Sequence, residues 1–243
     1  MRAPALALAA LAALALGACE TTQEKSAKLE RAAKLHAAQA SRRKAQAERA
    51  LDITTPSRVV KVIATKILRT SESAAAVVTL RNESAATIVD APIQIKARDA
   101  AGAVVYTNHT LGLAPALVSV PLLPAHATAV WVNDQVQASS PPQSVSVRVG
   151  EGHRTSGAIP DIAVTGMHLF EGSVEGDVVN RSHTSQRELV LYVLARRGGA
   201  IVAAGRALVP QSEAGASTRF QAFLVGSPDG ARLEAIPAPT TLG

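Results

Sequence analysis

Cysteine and aromatic residues are scarce in this sequence. Cys19 is the only cysteine among 243 residues, so an intramolecular disulfide is excluded and the fold has to rest on packing. Carbohydrate platforms and grooves for single-stranded nucleic acid rely on rows of exposed rings. Only six side chains are aromatic, too few to fill the cores of such a chain and build such rows as well: Tyr106, Trp131, Phe170, Tyr192, Phe220 and Phe223.

Sequence signatures of catalysis are missing too. No nucleophile elbow, P-loop or dinucleotide fingerprint occurs, and the S-x-x-K spelled by Ser41-Arg42-Arg43-Lys44 has no S-D-N or K-T-G partner. The six histidines, scattered without H-x-H or H-E-x-x-H spacing, do not suggest a metal site: His36, His109, His126, His153, His168 and His183. We therefore expect a protein that is not an enzyme, with no catalytic residues, no metal and no cofactor.

The net positive charge is concentrated in one segment. Residues 20–50 hold eight Lys and Arg against four Glu, whereas residues 51–243 hold sixteen basic against fifteen acidic residues. The folded part is thus almost neutral, and nothing favours nucleic acid as a partner. A basic segment next to an anionic membrane gains about 1 kcal/mol for each Lys or Arg near the surface.

The chain starts with an apolar run that is short for a membrane span. Ala5 to Leu16 follows Arg2 and covers twelve residues, against the roughly 20 that a spanning helix needs. The next residues, Leu16-Gly17-Ala18-Cys19, resemble the lipobox of bacterial lipoproteins. The resemblance implies a signal peptide over 1–18, cleavage before Cys19, and a lipid anchor on Cys19. An ordinary secretory signal is the alternative.

This anchor implies a location on the extracytoplasmic face of the cell membrane or the outer membrane. Glu20, where some inner-membrane lipoproteins carry Asp, is a hint toward the outer membrane. Residues 19–57 form the next segment, rich in Ala, Lys, Arg, Gln and Glu and free of Gly and of Pro until Pro56. Such a composition predicts a helical spacer that ends before Pro56.

From residue 58 onward the sequence changes to short β-branched runs. Ile93–Arg98 and Val145–Val149 alternate apolar and polar residues, which predicts strands with one buried and one wet face. Three turn sequences predict hairpin connections: Asp99–Gly102, Arg197–Gly199 and Pro228–Gly230. The fold class is therefore all-β.

An internal repeat divides this β region. Asn82-Glu83-Ser84 matches Asn180-Arg181-Ser182, and Ala-Arg follows fifteen residues after each Asn. The repeat predicts two tandem β-sandwiches over 58–150 and 159–243, joined by a glycine-containing linker at 151–158. We expect both Asn residues to serve as turn formers, although both triplets also match the N-x-S glycosylation acceptor.

The repeat resembles a known class of domain. Thr79–Glu83 and Leu123–Ala127 in the first copy, and Leu191-Tyr192-Val193 in the second, resemble FxLYD-type and YcfL-like domains of bacterial lipoproteins. The resemblance implies an immunoglobulin-like fold without known catalysis, and it brings no site residues. An aromatic-Asp pair is common in the family before the hairpin, where this chain has Arg98-Asp99 and Arg196-Arg197.

Several side chains invite a functional interpretation. The acidic loop Glu171 to Asp177 could bind calcium through its oxygen ligands, although a solvated hairpin is the simpler interpretation. Trp131 and Tyr192 are expected in the core. Phe220 and Phe223 are three residues apart and should face opposite sides of a strand, which leaves one of them available for a partner.

These features favour a non-enzymatic, lipid-anchored protein of the cell envelope that presents two sandwich domains to an envelope protein partner. The alternative is a lipoprotein that binds a small molecule or a metal in the cleft between the domains. A hydrolase with an unrecognised site is a third and weaker hypothesis.

Overall fold

The computed structural model describes residues 53–110 and 112–243. The predicted signal peptide, the lipobox with Cys19 and the spacer up to residue 52 lie outside the described residues. Those described belong to one compact unit that spans residues 47–243. They form an all-β structure with several sheets, and their only helix is a short 3-10 turn, Pro115–Leu117. None of their helices has the length and apolarity needed to cross a membrane.

The first half contains eight strands. Their bounds are β1 Val60–Arg69, β2 Ala74–Asn82, β3 Thr87–Arg98, β4 Val104–Thr107, β5 Ser119–Leu123, β6 Thr128–Asn133, β7 Ser144–Val149 and β8 His153–Thr155. β1, β2 and β6 form a three-stranded antiparallel sheet. In a second sheet β3 is central, with β4 and β5 pairing along different parts of its length, and β7 and β8 also pairing with it.

The alternation predicted for this sheet is confirmed. Ile93 in β3 pairs with Val149 in β7, and Ile95 pairs with Val147. Ile93, Ile95 and Val149 are buried, whereas Lys96, next to Ile95, and Arg148, next to Val149, are exposed. Directly opposed residues in an antiparallel ladder share a face, so β3 and β7 present one apolar face at these positions.

The second half contains six strands in one sheet of order β14-β11-β12-β13-β10-β9. Their bounds are β9 Ile162–Phe170, β10 Ser173–Asn180, β11 Gln186–Arg197, β12 Ala200–Ser212, β13 Ser217–Gly226 and β14 Arg232–Ala238. Only three residue pairs join β12 to β13, from Ala203↔Gly226 to Gly205↔Leu224. The sheet therefore has two parts, β14-β11-β12 and β13-β10-β9, that meet at a narrow junction.

The two halves repeat the same strand order and register. β9, β10, β11, β13 and β14 correspond to β1, β2, β3, β6 and β7, while the long strand β12 covers the positions of β4 and β5 together. In the first half, residues 108–110 and 112–118 lie outside the sheet between β4 and β5, and the latter carry the 3-10 turn. The match places Trp131 at the position of Phe220, and both side chains are buried.

One continuous apolar core joins the two halves. Side chains from the second half, among them Val190, Tyr192 and Leu194 of β11, pack in the same buried cluster as the core of the first half. The alternate residues of β11, such as Leu191 and Val193, belong instead to the separate core of the second half. β11 is therefore buried on both faces, as its run of apolar residues requires.

The first half packs its three-stranded sheet of β1, β2 and β6 against the Val190, Tyr192 and Leu194 side of β11. In β2 the inner-facing Leu80 and the outer-facing Val77 are both almost fully buried, although a sheet with one wet face would expose one of them. On β6, Val132 lies opposite Val77 and is fully buried too. The outer face of β2 and β6 is thus covered by the second half.

Two of the three predicted hairpins are confirmed and one is wrong. Residues 99–102 and 197–199 connect antiparallel neighbours, β3 to β4 and β11 to β12. Pro228–Gly230 instead connects β13 to β14, which do not pair with each other, because β14 lies against β11. Within the residues predicted as a linker, His153–Thr155 form β8 and pair with β3.

Candidate functional site

The two repeated asparagines are buried parts of matching turns. Both have no exposed surface, and the Nδ2 of Asn82 donates to the carbonyls of residues 86, 123 and 124 at 2.8–3.1 Å. Asn180 donates in the same way to Thr184 and Ser212. Each Oδ1 accepts from the serine two residues later, with Oγ–Oδ1 distances of 2.7 Å. The turn role of both asparagines is confirmed. At both sites the side-chain nitrogen to which a glycan would be attached is buried.

A third buried asparagine supports the β3 strand. Asn108 is 1% exposed, and its Oδ1 accepts from the backbone N–H of Ile95 at 2.8 Å. Its Nδ2 donates to the carbonyls of Ile93 and Leu117, both at 2.8 Å. The side-chain amide thus pairs with β3 where the chain leaves the sheet after β4. A buried strand cannot leave such groups without partners, so this residue is structural.

The aromatic residues divide into buried and exposed sets. Trp131 is fully buried and its Nε1 donates to the carbonyl of Ala116 at 2.9 Å, and Tyr192 is 2% exposed, so both core predictions are confirmed. Phe220 is 4% exposed and Phe223 68%, as their spacing predicted. Phe170, with 49% exposure, is the other exposed ring.

The two exposed rings lie in one row across the sheet. Ser173 of β10 pairs with Phe170 on β9 and with Phe223 on β13, which places both rings on the same outer face. Ser173 between them is only 1% exposed, and its Oγ donates to the carbonyl of Phe170 at 2.8 Å. We call Phe170 and Phe223 the phenylalanine row.

The acidic loop lies beside this row. Glu171 and Gly172 form the tight turn between β9 and β10, both with positive φ, and the predicted hairpin is confirmed. Glu175 and Asp177 follow on the outer face of β10, opposite Gln221 and Arg219. Among the described residues, no group of three His, Cys, Asp or Glu side chains is arranged to hold a metal ion.

A buried ion pair connects the two halves. Asp134, just after β6, accepts a hydrogen bond from the backbone N–H of Arg206 on β12 at 3.0 Å. The guanidinium Nε lies 3.5 Å from the Asp134 Oδ1, and the side chains are 9% and 16% exposed for arginine and aspartate. Tyr192 lies directly opposite Arg206 in the β11–β12 ladder, and its hydroxyl is buried without a hydrogen-bond partner in the described part of the chain.

Burial dominates the electrostatics of this ion pair. It raises the pKa of the Asp134 carboxyl above its ordinary value, although the Arg206 guanidinium acts in the opposite direction. Burial likewise raises the pKa of the Tyr192 hydroxyl. The bond from the Arg206 amide to the Asp134 carboxyl holds the two halves in position relative to each other. Because Tyr192 and Asp134 are both buried, neither offers a nucleophile or an accessible base.

An open cavity lies in the first half, beside β4. Its volume is about 440 Å³, and we call it the β4 groove. Every side chain in its lining is uncharged: Val104, Val105, Tyr106, Thr107, Thr110, Leu113, Gln135 and Gln137. The Tyr106 hydroxyl accepts a hydrogen bond from Asn133 Nδ2 at 3.0 Å, so this wall is fixed.

Comparison of this chain with protein-family models and with curated proteins gives no match. Sequence reasoning anticipated one exposed phenylalanine. It missed the partner ring Phe170, the ion pair between Asp134 and Arg206, and the β4 groove, because each of these depends on strands that are distant in sequence. The region where a cleft between the domains was expected is packed with apolar side chains.

Proposed function

We propose that this protein is a non-enzymatic lipoprotein of the bacterial cell envelope. Two immunoglobulin-like β-sandwich domains, related to the FxLYD type, form its folded part and present a contact surface to another envelope protein. The lipobox at 16–19 supports the anchor, and the repeated strand order supports two related domains. The shared core supports a body in which the two domains keep one relative orientation.

The observation that carries the contact role is the phenylalanine row. A chain with six aromatic residues leaves two of them exposed, on one face and in one register row. Burying a phenylalanine side chain is worth about 1.5–3 kcal/mol, and aromatic residues are prominent among the energetic centres of interfaces. Both rings lie on an exposed sheet face and neither lines the β4 groove, which suits a protein surface better than a small molecule.

Photo-crosslinking in intact cells tests the contact role. A photoreactive residue is introduced at position 221, next to the row, in the wild-type background and in the Phe223→Ser variant. We expect wild-type protein to capture one envelope protein and the variant to capture it at least tenfold less. Leu208→Ser is the matched control, since Leu208 is also an exposed apolar residue of the second half, at 53%. Capture that is unchanged by Phe223→Ser, or limited to copies of this chain, would contradict the proposal.

The anchor is tested separately. Intact-mass analysis of the protein extracted from membranes should show a chain that starts at Cys19 and carries acyl groups. The Cys19→Ser variant should lose the added mass and leave the membrane fraction. An unmodified thiol or an uncleaved leader would contradict the anchor without bearing on the phenylalanine row.

A further inference from the structure

The two halves pack head to tail, through faces that are not equivalent to each other. The first half contributes the outer face of β1, β2 and β6, and the second half contributes the outer face of β14, β11 and β12. Because the halves repeat the same strand order, each of these faces has an equivalent on the far side of the other half. On the first half this is the outer face of β7, β3 and β4, which we call the head face, with Gln94, Lys96, Arg98, Val104 and Arg148. On the second half it is the outer face of β9, β10 and β13, which we call the tail face, with the phenylalanine row, Glu171, Glu175 and Asp177.

The tail face carries acidic side chains where the first half has apolar ones. Glu175 occupies the position of Val77, since each lies five residues before the turn-forming asparagine and the two ladders have matching registers. Val77 is buried in the shared core, whereas Glu175 is half-buried. Asp177 follows on the same face opposite Arg219, and Glu171 lies at the exposed turn. One guanidinium thus accompanies three carboxylates, and the tail face is acidic.

The head face carries basic side chains where the second half has apolar ones. Lys96 occupies the position of Leu194, and Arg148 that of Ile236, because the β3–β7 and β11–β14 ladders have matching registers. Leu194 and Ile236 pack in the shared core, whereas Lys96 and Arg148 are exposed. The strands β4 and β7 and residues 94–98 of β3 contain no acidic residue. The head face is therefore basic.

The same correspondence matches two exposed apolar side chains. Phe170 of the tail face occupies the position of Leu68, which is buried in the shared core. Val104 of the head face, which is 48% exposed, occupies the position of Ile201, which packs against that core. These two positions are close in the contact between the halves, because the Nζ of Lys66, two residues before Leu68, donates to the carbonyl of Ile201. A contact of the same kind between two molecules would bring the Phe170 ring to Val104.

We propose that the tail face of one molecule docks on the head face of a second copy of this chain, in the arrangement that the two halves have within one molecule. The charges favour this occupant, because the carboxylates of one face meet the cations of the other. A membrane suits the head face less well. The face has three cations, Lys96, Arg98 and Arg148, whereas lipid-binding clusters hold roughly four to eight.

This inference rests on the proposed function, since it takes the phenylalanine row to be a contact surface. A contact between two different faces does not end at a pair, as a two-fold dimer does, but continues into a stack of copies when its rotation does not close a ring. In such a stack the tail face of every copy but the last is covered. The phenylalanine row of that last copy stays open to the envelope partner.

Self-association of the full-length lipidated protein tests the inference. The protein is placed in nanodiscs of zwitterionic lipid with one copy in each disc, and sedimentation velocity over a concentration series gives the dissociation constant. We expect association in dilute salt that weakens about tenfold in concentrated salt, because exposed charges are screened. A second series adds vesicles of anionic lipid and measures cosedimentation with them.

Charge reversal on one face should weaken the association, and exchange of the charges between the faces should restore part of it. Lys96→Glu or Glu175→Lys alone is expected to raise the dissociation constant about tenfold, and the double variant should bind about threefold more tightly than either single variant. Arg187→Glu is the matched control, since it changes the charge as Lys96→Glu does, at an exposed position of β11 outside both faces. It should leave the dissociation constant unchanged. Circular dichroism checks that each variant is folded.

Several outcomes would overturn the inference. One is wild-type protein that does not associate, and another is a Lys96→Glu variant that associates no more weakly than Arg187→Glu. A third is a double variant that binds no more tightly than the single ones. Binding to the anionic vesicles that Lys96→Glu abolishes, without association between copies, would assign the head face to a membrane instead.

The crosslink at position 221 separates this inference from the proposed function. Capture of an envelope protein by a chain that does not self-associate would contradict the inference alone. Self-association with capture limited to copies of this chain would support the inference and contradict the contact with another envelope protein.

Discussion

An alanine at position 205 is expected to separate β12 from β13. The new Cβ would lie 2.0 Å from the Phe223 carbonyl oxygen and 2.9 Å from its carbonyl carbon. Carbon and oxygen atoms settle at about 3.3 Å even when they attract weakly, so the strands would have to part by more than about 1 Å. Backbone atoms form the obstacle, and no rotation of a side chain relieves it.

The loss of stability can be worked out from the contacts at the junction between β12 and β13. Up to three hydrogen bonds between the strands would be lost at about 0.5–1.5 kcal/mol each. Val225, which is 6% exposed, would lose part of a burial worth about 1.5–3 kcal/mol. We expect the free energy of unfolding to fall by about 3–5 kcal/mol, and Tm by about 10 °C for a unit of this length. Urea denaturation and calorimetry measure the two quantities.

Gly176→Ala is the matched control for this substitution. Gly176 is also a buried strand glycine, but its Cβ would contact the Phe220 ring and the carbonyl oxygen of Thr165 at 3.0 Å, and the flexible Met167 side chain at 3.2 Å. Small shifts accommodate these contacts, so its effect should stay below about 1 kcal/mol, helped by the lower freedom of the unfolded chain. The reasoning is refuted if Gly205→Ala stays within about 1 kcal/mol of wild type, or if both variants are equally destabilised.

Three further predictions concern buried polar groups. Arg206→Met should lower the free energy of unfolding, measured in urea, by about 2–4 kcal/mol, because Asp134 stays buried without its cation. Adding Asp134→Asn to this variant should recover part of the loss. Strictly additive effects of the two substitutions would argue against coupling between the residues. Since burial raises the pKa of Asp134, its contribution is fully present below the unfolded pKa and is lost as pH rises through the folded pKa. The stability of wild type relative to Asp134→Asn should therefore fall as the pH rises above the ordinary range of an aspartate carboxyl, and a flat difference would contradict this. Asn180→Ala should destabilise by about 2–4 kcal/mol, since it removes the buried donor to the carbonyls of Thr184 and Ser212 and the acceptor of the Ser182 hydroxyl, whereas Ser182→Ala should cost less than half as much in the same assay.

The sequence was informative wherever the structural signal is local. Alternation in residues 93–98 and 145–149 depends only on the two-residue period of a strand, and the structure confirms it. The paired Asn-x-Ser turns were predictable because each asparagine bonds to groups two to four residues away, whereas its bonds to distant carbonyls were not. The opposite orientations of Phe220 and Phe223 follow from the same strand geometry.

Features that join distant strands escaped prediction. Leu189–Ala195 is an unbroken apolar run, and such a run indicates a strand buried on both faces, so a signal for the shared core was present. The apolar run does not identify the residues that cover the second face of the strand. Asp134 and Arg206 are seventy-two positions apart, and no sequence pattern pairs them.

The β4 groove was not predictable from the sequence, because residues from separate parts of the chain line it. Gly205 has Asn108 as its counterpart in the first half, and the strand registers are needed to find this match. The excursion of residues 108–110 and 112–118 obscures the match, since one long strand in the second half replaces two short ones.

The apolar contact between β11 and the sheet of β2 and β6 also bears on how the protein withstands proteases. The connection at 156–161 is largely accessible and contains a glycine, so it is a natural place for a protease to cut. A nick there would sever one peptide bond but release neither fragment, because Val77 and Val132 would remain in the same buried cluster as Tyr192. A cleaved molecule would therefore migrate as two bands in denaturing gels and as one particle in native ones.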